Sequence, residues 1–188
     1  LRVPASAIER ALADLDASVR EGLGLSIAHN RAGHAAQLPV ERVTEVGPAE
    51  LEEYVRVGGG LLVIHSGLAY NEERCPEYVQ LVGSAFRGHP PRCTVHLQAA
   101  LPAHPVLDGV PDFVIRDEHY AMEMTCEDAQ VFLESRSEKG GVQPAGYTRE
   151  IGKGRLCALT PGHTLDVWED ERFQRLFTNA AEWCMKER

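Results

Sequence analysis

The stretch Gly58-Gly-Gly-Leu-Leu-Val-Ile-His-Ser-Gly67 decides how this chain reads. Leu61–Ile64 is apolar at every position, so neither face of that strand is suited to water. A strand of this kind belongs inside a sheet that helices cover on both sides. The three glycines before it end a helix, and the strand stops abruptly at His65-Ser66-Gly67. In open parallel sheets ligands bind beyond the carboxyl ends of the strands, which makes His65 the first candidate for chemistry.

Working outward, Pro48–Arg56 reads as a helix with proline near its start and acidic residues in its first turns. Further upstream, Ile8, Leu12, Leu15 and Val19 form one stripe of a helix from about Ala5 to Arg20. Leu23–Ala28 reads as a short strand and Asn30–Val46 as a long loop. Downstream, a helix starting near Pro76 is expected to bury Val79, Val82 and Phe86 and to close at Gly88-His-Pro-Pro91. Extended segments follow at Thr94–Gln98, Phe113–Tyr120, Gln130–Glu134, Ala145–Thr148 and Arg155–Leu159. A final helix from about Glu171 carries a wide apolar stripe that includes Phe173, Leu176, Phe177, Ala180 and Trp183. Helices alternating with apolar strands predict one α/β domain over residues 1–188, with a mostly parallel sheet and helices on both faces. The strands between residues 94 and 148 are expected as an antiparallel addition or edge.

Composition narrows the functional classes. A formal net charge of −9 with no basic cluster argues against binding nucleic acid or an anionic membrane surface. No apolar run approaches the ~20 residues of a membrane span. The five cysteines are odd in number and show no CxxC spacing, so reduced thiols in a cytoplasmic protein are expected. GxGxxG, Walker, HExxH and GxSxG motifs are absent.

The candidate site residues come from strand ends. His65 follows Leu61–Ile64, and His163 lies just beyond Arg155–Leu159 in Thr160-Pro-Gly-His-Thr164. Parallel strands would deliver both imidazoles to one edge, where they could act as acid, base or metal ligand. Alternation over 113–120 places Arg116, Glu118 and Tyr120 on one face, with Asp117 and His119 on the other. His89 and His104 each precede a proline and are expected in displayed turns. Ser66 stands beside His65 and raises the question of a serine nucleophile.

Five ordered segments carry a family resemblance. They are Gly58–Gly67, then Leu81-Val-Gly-Ser-Ala-Phe-Arg-Gly-His-Pro90, then His104-Pro-Val-Leu-Asp-Gly-Val-Pro111, then Asp117-Glu-His-Tyr120, and last Gly152-Lys-Gly-Arg155 with Gly162-His-Thr-Leu-Asp-Val-Trp-Glu-Asp170. Together they resemble the ThuA-like (trehalose utilisation) family over residues 45–188. The resemblance implies a flavodoxin-like fold, similar to class I glutamine amidotransferases, in which His65 stands where those enzymes carry a nucleophilic cysteine. Thiolate amidotransferase chemistry is therefore not expected. The family opens with a central strand and a His-containing loop, and this chain begins almost at the helix, so that strand is expected to be missing from it.

Three functions follow as expectations. The first is a hydrolase or isomerase acting on a small sugar or sugar derivative. Its catalytic residues would be His65, His163 and Glu118, as an acid/base set or as ligands of a divalent metal such as zinc. Tyr120, His89 and Ser66 would then bind substrate. The second is a non-catalytic sugar-binding or regulatory module. The third is a serine hydrolase pairing Ser66 with His163. A homo-oligomer is expected because the strand-rich half has edges that need cover.

Overall fold

A computed structural model describes residues 47–185. The helix expected over Ala5–Arg20, the strand Leu23–Ala28 and the loop Asn30–Val46 lie outside the described residues. Helix α1 is Pro48–Arg56, with the proline in its first turn and Leu51 and Val55 facing inward. Strand β1 (Gly60–Ile64) follows, then a 3-10 turn (His65–Leu68) and helix α2 (Pro76–Val82). The remaining strands are β2 (Ser84–Gly88), β3 (Cys93–Ala99), β4 (Phe113–Asp117), β5 (Ala121–Met124), β6 (Gln130–Ser137), β7 (Gly141–Ile151) and β8 (Gly154–Leu159). A short helix α3 (Leu165–Glu169) and a long helix α4 (Glu171–Met185) close the described chain.

The sheet corrects the expected architecture. Six strands pair in the order β1-β8-β7-β6-β3-β4, and β2 pairs with β5 in a separate ribbon. Only β1 with β8 is parallel; every other pairing among the described residues is antiparallel. A mostly parallel, flavodoxin-like sheet between two helix layers is therefore not what the described residues build. Helices α3 and α4 pack on one face, where Phe173, Leu176, Phe177 and Ala180 meet Leu62, Leu97, Phe132 and Leu159. On the other face Leu51 and Val55 of α1 and Tyr78, Leu81 and Val82 of α2 cover Leu61, Val63, Leu156 and Ala158. That second layer stops short of β3 and β4, where Thr94, His96, Gln98, Val114 and Arg116 are exposed.

The pattern has a simple physical origin. A strand buried on both faces must be apolar throughout, whereas an antiparallel strand with one wet face alternates. Leu61–Ile64 of β1 and Leu156–Leu159 of β8 are of the first kind, and β3 and β4 of the second, with buried and exposed residues in succession.

Helix α2 is also shorter than its apolar stripe suggests. Gly83 takes a left-handed φ of 79° and ends it, and a Cβ there would lie 2.4 Å from Cys126 Sγ. Phe86 consequently sits in β2 rather than on the helix, and Gly88 closes that strand instead of the helix. His104, expected on display, is buried at 5% exposure. Its Nδ1 accepts the Val106 N–H at 3.3 Å, its Nε2 lies 3.1 Å from Thr148 Oγ1, and its ring stacks on Phe132 at 4.6 Å.

These contacts favour neutral His104, and burial lowers its pKa from the ordinary 6.5. The unfolded chain takes up a proton near 6.5 while the folded chain resists it. The stability that this group contributes is thus complete above that pH and declines as the pH falls towards the folded pKa. Urea unfolding should show a lower midpoint at pH 5.5 than at 7.5, and His104→Leu should reduce that difference.

Candidate functional site

The parallel pairing of β1 with β8 builds the site. Ile64 is registered against Leu159, so the chain leaves both strands at the same edge. His65 follows β1 directly and Thr160 follows β8. Here His65 turns with φ 46°, the only positive φ of a non-glycine among the described residues. Strain of this kind concentrates at functional sites. The turn seats the ring so that His65 Nδ1 donates to the Thr160 carbonyl at 2.9 Å. A neutral imidazole held this way presents the Nε2 lone pair to the cleft. Burial, as the largest influence, lowers the His65 pKa, which keeps the ring in that neutral form.

The second imidazole arrives on the loop after β8. Gly162, with φ 138°, passes close to His65: a Cβ there would lie 3.3 Å from the His65 Cβ. Asp117, at the end of β4 and 1% exposed, accepts the backbone N–H groups of Gly162 at 2.8 Å and His163 at 3.2 Å. Trp168 Nε1 donates to the Gly162 carbonyl at 2.8 Å and holds the same loop from α3. As a result His163 Nδ1 stands 3.3 Å from His65 Nε2.

Glu118 completes the group. Its Oε2 lies 3.3 Å from His65 Nε2 and its Oε1 3.2 Å from His163 Nδ1. One donor atom from each of His65, Glu118 and His163 falls within 4.8 Å of the other two. Tyr120 stacks on His65 at 4.5 Å between ring centroids and places its hydroxyl 3.1 Å from His65 Nε2. Desolvation, with Glu118 and Asp117 adding to it, pushes the Tyr120 phenol well above its ordinary range, so it stays protonated and can donate.

The structure thus brings His65, His163, Glu118 and Tyr120 together. His89 sits at the rim, 34% exposed at its side chain. Its Nε2 is 3.7 Å from Glu118 Oε2, and its Nδ1 donates to the Pro90 carbonyl. Ser66 is exposed on the 3-10 turn, while His163 Nδ1 faces Glu118 and His65. Arg116 remains on the exposed face of β4, away from Glu118 and Tyr120. The alternation expected over 113–120 therefore fails after Asp117, because the strand ends there.

Sequence reasoning missed two contributions. Alternation places Asp117 on the opposite face, yet its carboxylate fastens the His163 loop. The Thr160 carbonyl, which orients His65, carries no side-chain signature at all. The only available hint for Asp117 was an acidic residue ending a strand whose inward positions, Phe113 and Ile115, are apolar.

Residues 36–184 match the ThuA family, described as trehalose utilisation, and the chain belongs to that family. A curated histidinol dehydrogenase of Leifsonia xyli subsp. xyli is 32% identical over 131 residues. That match takes in 65% of this chain and spans 29% of the length of that relative. Among solved structures, a ThuA-like protein of Bacteroides uniformis shares the fold with a TM-score of 0.64 at 22% identity, covering 75% of this chain and 64% of that one. A β-galactosidase of Rahnella sp. R3 shares it over 72% of this chain but 20% of its own, with a TM-score of 0.55 at 13% identity. No helix among the described residues is long and apolar enough to cross a membrane.

The arrangement makes Asp117 testable. Asp117→Ala would leave two backbone N–H groups without their acceptor, at about 1–3 kcal/mol for each buried donor. Asp117→Asn keeps one accepting oxygen and should lose less. Urea unfolding of both variants measures the difference, and equal, wild-type stability would refute the assignment.

Proposed function

We propose that the protein acts on a small sugar or sugar derivative as a hydrolase or isomerase, with His65, His163 and Glu118 holding a divalent metal such as zinc. One observation carries this reading. His65 Nε2 and His163 Nδ1 stand 3.3 Å apart, and Glu118 turns one oxygen to each, Oε2 3.3 Å from His65 and Oε1 3.2 Å from His163. Ligands about 2.0–2.1 Å from a tetrahedral zinc ion stand roughly 3.3–3.4 Å apart, so the two imidazoles are spaced for that ion, and one oxygen of Glu118 keeps all three donors within 4.8 Å. Two imidazoles and a carboxylate also form a known catalytic zinc ligand set, which leaves one position open. When bound, the ion would supply a Lewis acid and an activated water.

The chain's own groups prepare the cleft for that task. His65 offers Nε2 because Nδ1 is committed to Thr160. Metal ligands of this type usually donate their other ring nitrogen to a carbonyl or carboxylate. Tyr120 keeps its proton and can donate it in a hydrogen bond to a substrate oxygen near His65. Asp117 fixes the His163 loop without touching the cleft's donor atoms directly. The openings lie at His163 and His89, the more exposed members of the group, so a sugar would approach between them.

Purified protein should retain or take up one zinc or cobalt ion, measured by elemental analysis and by titration. His65→Ala, His163→Ala and Glu118→Gln should each lose that stoichiometric uptake while remaining folded. Assayed against trehalose and oxidised or phosphorylated sugars, His65→Ala should lose turnover. A folded, fully active His65→Ala variant would sink the proposal.

A second reading draws on the Rahnella β-galactosidase, in which this fold makes up one fifth of a larger sugar-acting protein. On that reading the domain binds sugar without transforming it. Calorimetric binding of a sugar, unaffected by chelators and accompanied by no turnover, would favour it.

A further inference from the structure

Four consecutive residues, Asp117 to Tyr120, connect the main sheet to the β2–β5 ribbon; Glu118 and Tyr120 face the site, and Asp117 fastens the loop that carries His163. His119 does neither. It is 2% exposed, and its two ring nitrogens reach serine hydroxyls of β6: Nδ1 is 2.7 Å from Ser137 Oγ and Nε2 is 2.9 Å from Ser135 Oγ. Ser135 and Ser137 are two apart on one strand, so they share a face and can grip both sides of one ring.

The proton positions along this contact can be worked out. The Ser135 hydroxyl meets the Gln143 carbonyl at 3.3 Å, and a carbonyl only accepts, so Ser135 donates there. Having spent its proton, Ser135 Oγ must accept from His119 Nε2–H. Neutral His119 then has a lone pair on Nδ1, which accepts the Ser137 hydroxyl proton. Ser137 Oγ in turn accepts the Gly140 N–H at 3.0 Å. The result is one directed chain from the Gly140 amide through Ser137, His119 and Ser135 to the Gln143 carbonyl. Gly140 cannot carry a side chain here, since a Cβ would lie 2.3 Å from His119 Nδ1. Gln143 ties in the next strand as well: its Oε1 accepts the Met122 N–H at 3.1 Å and its Nε2 donates to the Gly140 carbonyl at 3.1 Å.

We propose that His119 is a positioning residue: anchored between Ser135 and Ser137 as the Nε2–H tautomer, it holds the 118–120 segment so that Glu118 faces His65 and His163. The peptide units on either side of His119 carry Glu118 and Tyr120, so fixing this ring fixes the direction of both neighbours. A flexible connection between two sheets would otherwise leave the carboxylate free to turn to solvent. This inference rests on the metal-centred reading for its consequences in binding, but its structural content stands apart from it.

The test uses the metal-free full chain with 15N-labelled histidine and long-range ring correlation spectra. In the wild type His119 should give the Nε2–H pattern. His119→Phe, which fills the space without hydrogen bonds, should move the His65 and His163 ring signals in the direction that Glu118→Gln moves them. The Ser135→Ala/Ser137→Ala double variant keeps the imidazole and should do the same, which covers a phenylalanine variant that fails to fold. In zinc titrations His119→Phe should weaken binding by about 10–100-fold, the usual loss for a residue that orients a ligand. An Nδ1–H form of His119, or His65 and His163 signals unmoved in the serine double variant, overturns the proposal. A wild type that takes up no zinc overturns the metal reading alone, because the ring spectra still decide the role of His119.

Discussion

The parallel contact between Leu61–Ile64 and Leu156–Leu159 is the constraint on which the rest depends. Two apolar strands running side by side in the same direction leave the sheet at one edge. The residues that follow them, far apart in the chain, must therefore meet. His65 then has the Thr160 carbonyl within hydrogen-bond distance, and that bond fixes which ring nitrogen faces the cleft. An antiparallel arrangement of the same two strands would send His65 and His163 to opposite ends of the sheet.

Around that pair a few buried polar groups hold the backbone in place. Asp117 takes two loop amides, Trp168 takes a loop carbonyl, and His119 is held by two serines. Each bond fixes a backbone segment rather than a side chain of the site. The donors of the cleft are thereby oriented before any ligand arrives, which is the condition for strong electrostatic action in a site of low dielectric. The positive φ of His65 is part of the same design: local strain is tolerated because the packed β1–β8 edge holds the turn.

Legibility in the sequence followed burial. β1 and β8 are readable because both faces are covered and Leu61–Ile64 and Leu156–Leu159 are wholly apolar; α4 is readable because its inward stripe is wide and regular. The strands over 94–148, expected only as an antiparallel addition or edge, supply four of the six strands of the main sheet, and the alternation of Thr94-Val-His-Leu-Gln98 is the sign of it. That alternation marks a strand with one wet face, which a helix-covered parallel sheet does not have. The end of α2 is not legible because apolar spacing continues past Gly83, whereas the backbone conformation stops the helix there. His65, His163 and Glu118 were legible as candidates, but Glu118 was grouped with Arg116 by an alternation that ends one residue too early.

The sequence alone determined which segments are apolar on both faces, which on one, and where chemically capable residues follow a strand. Those are properties of neighbours along the chain. Tertiary structure decided which strands lie together and in which direction, and so that one carboxylate stands between two imidazoles separated by 98 residues. Pairing across such distances is set by competition among whole packings, where the entropy of closing long loops is weighed against the burial of two faces at once. No local pattern encodes the outcome of that competition.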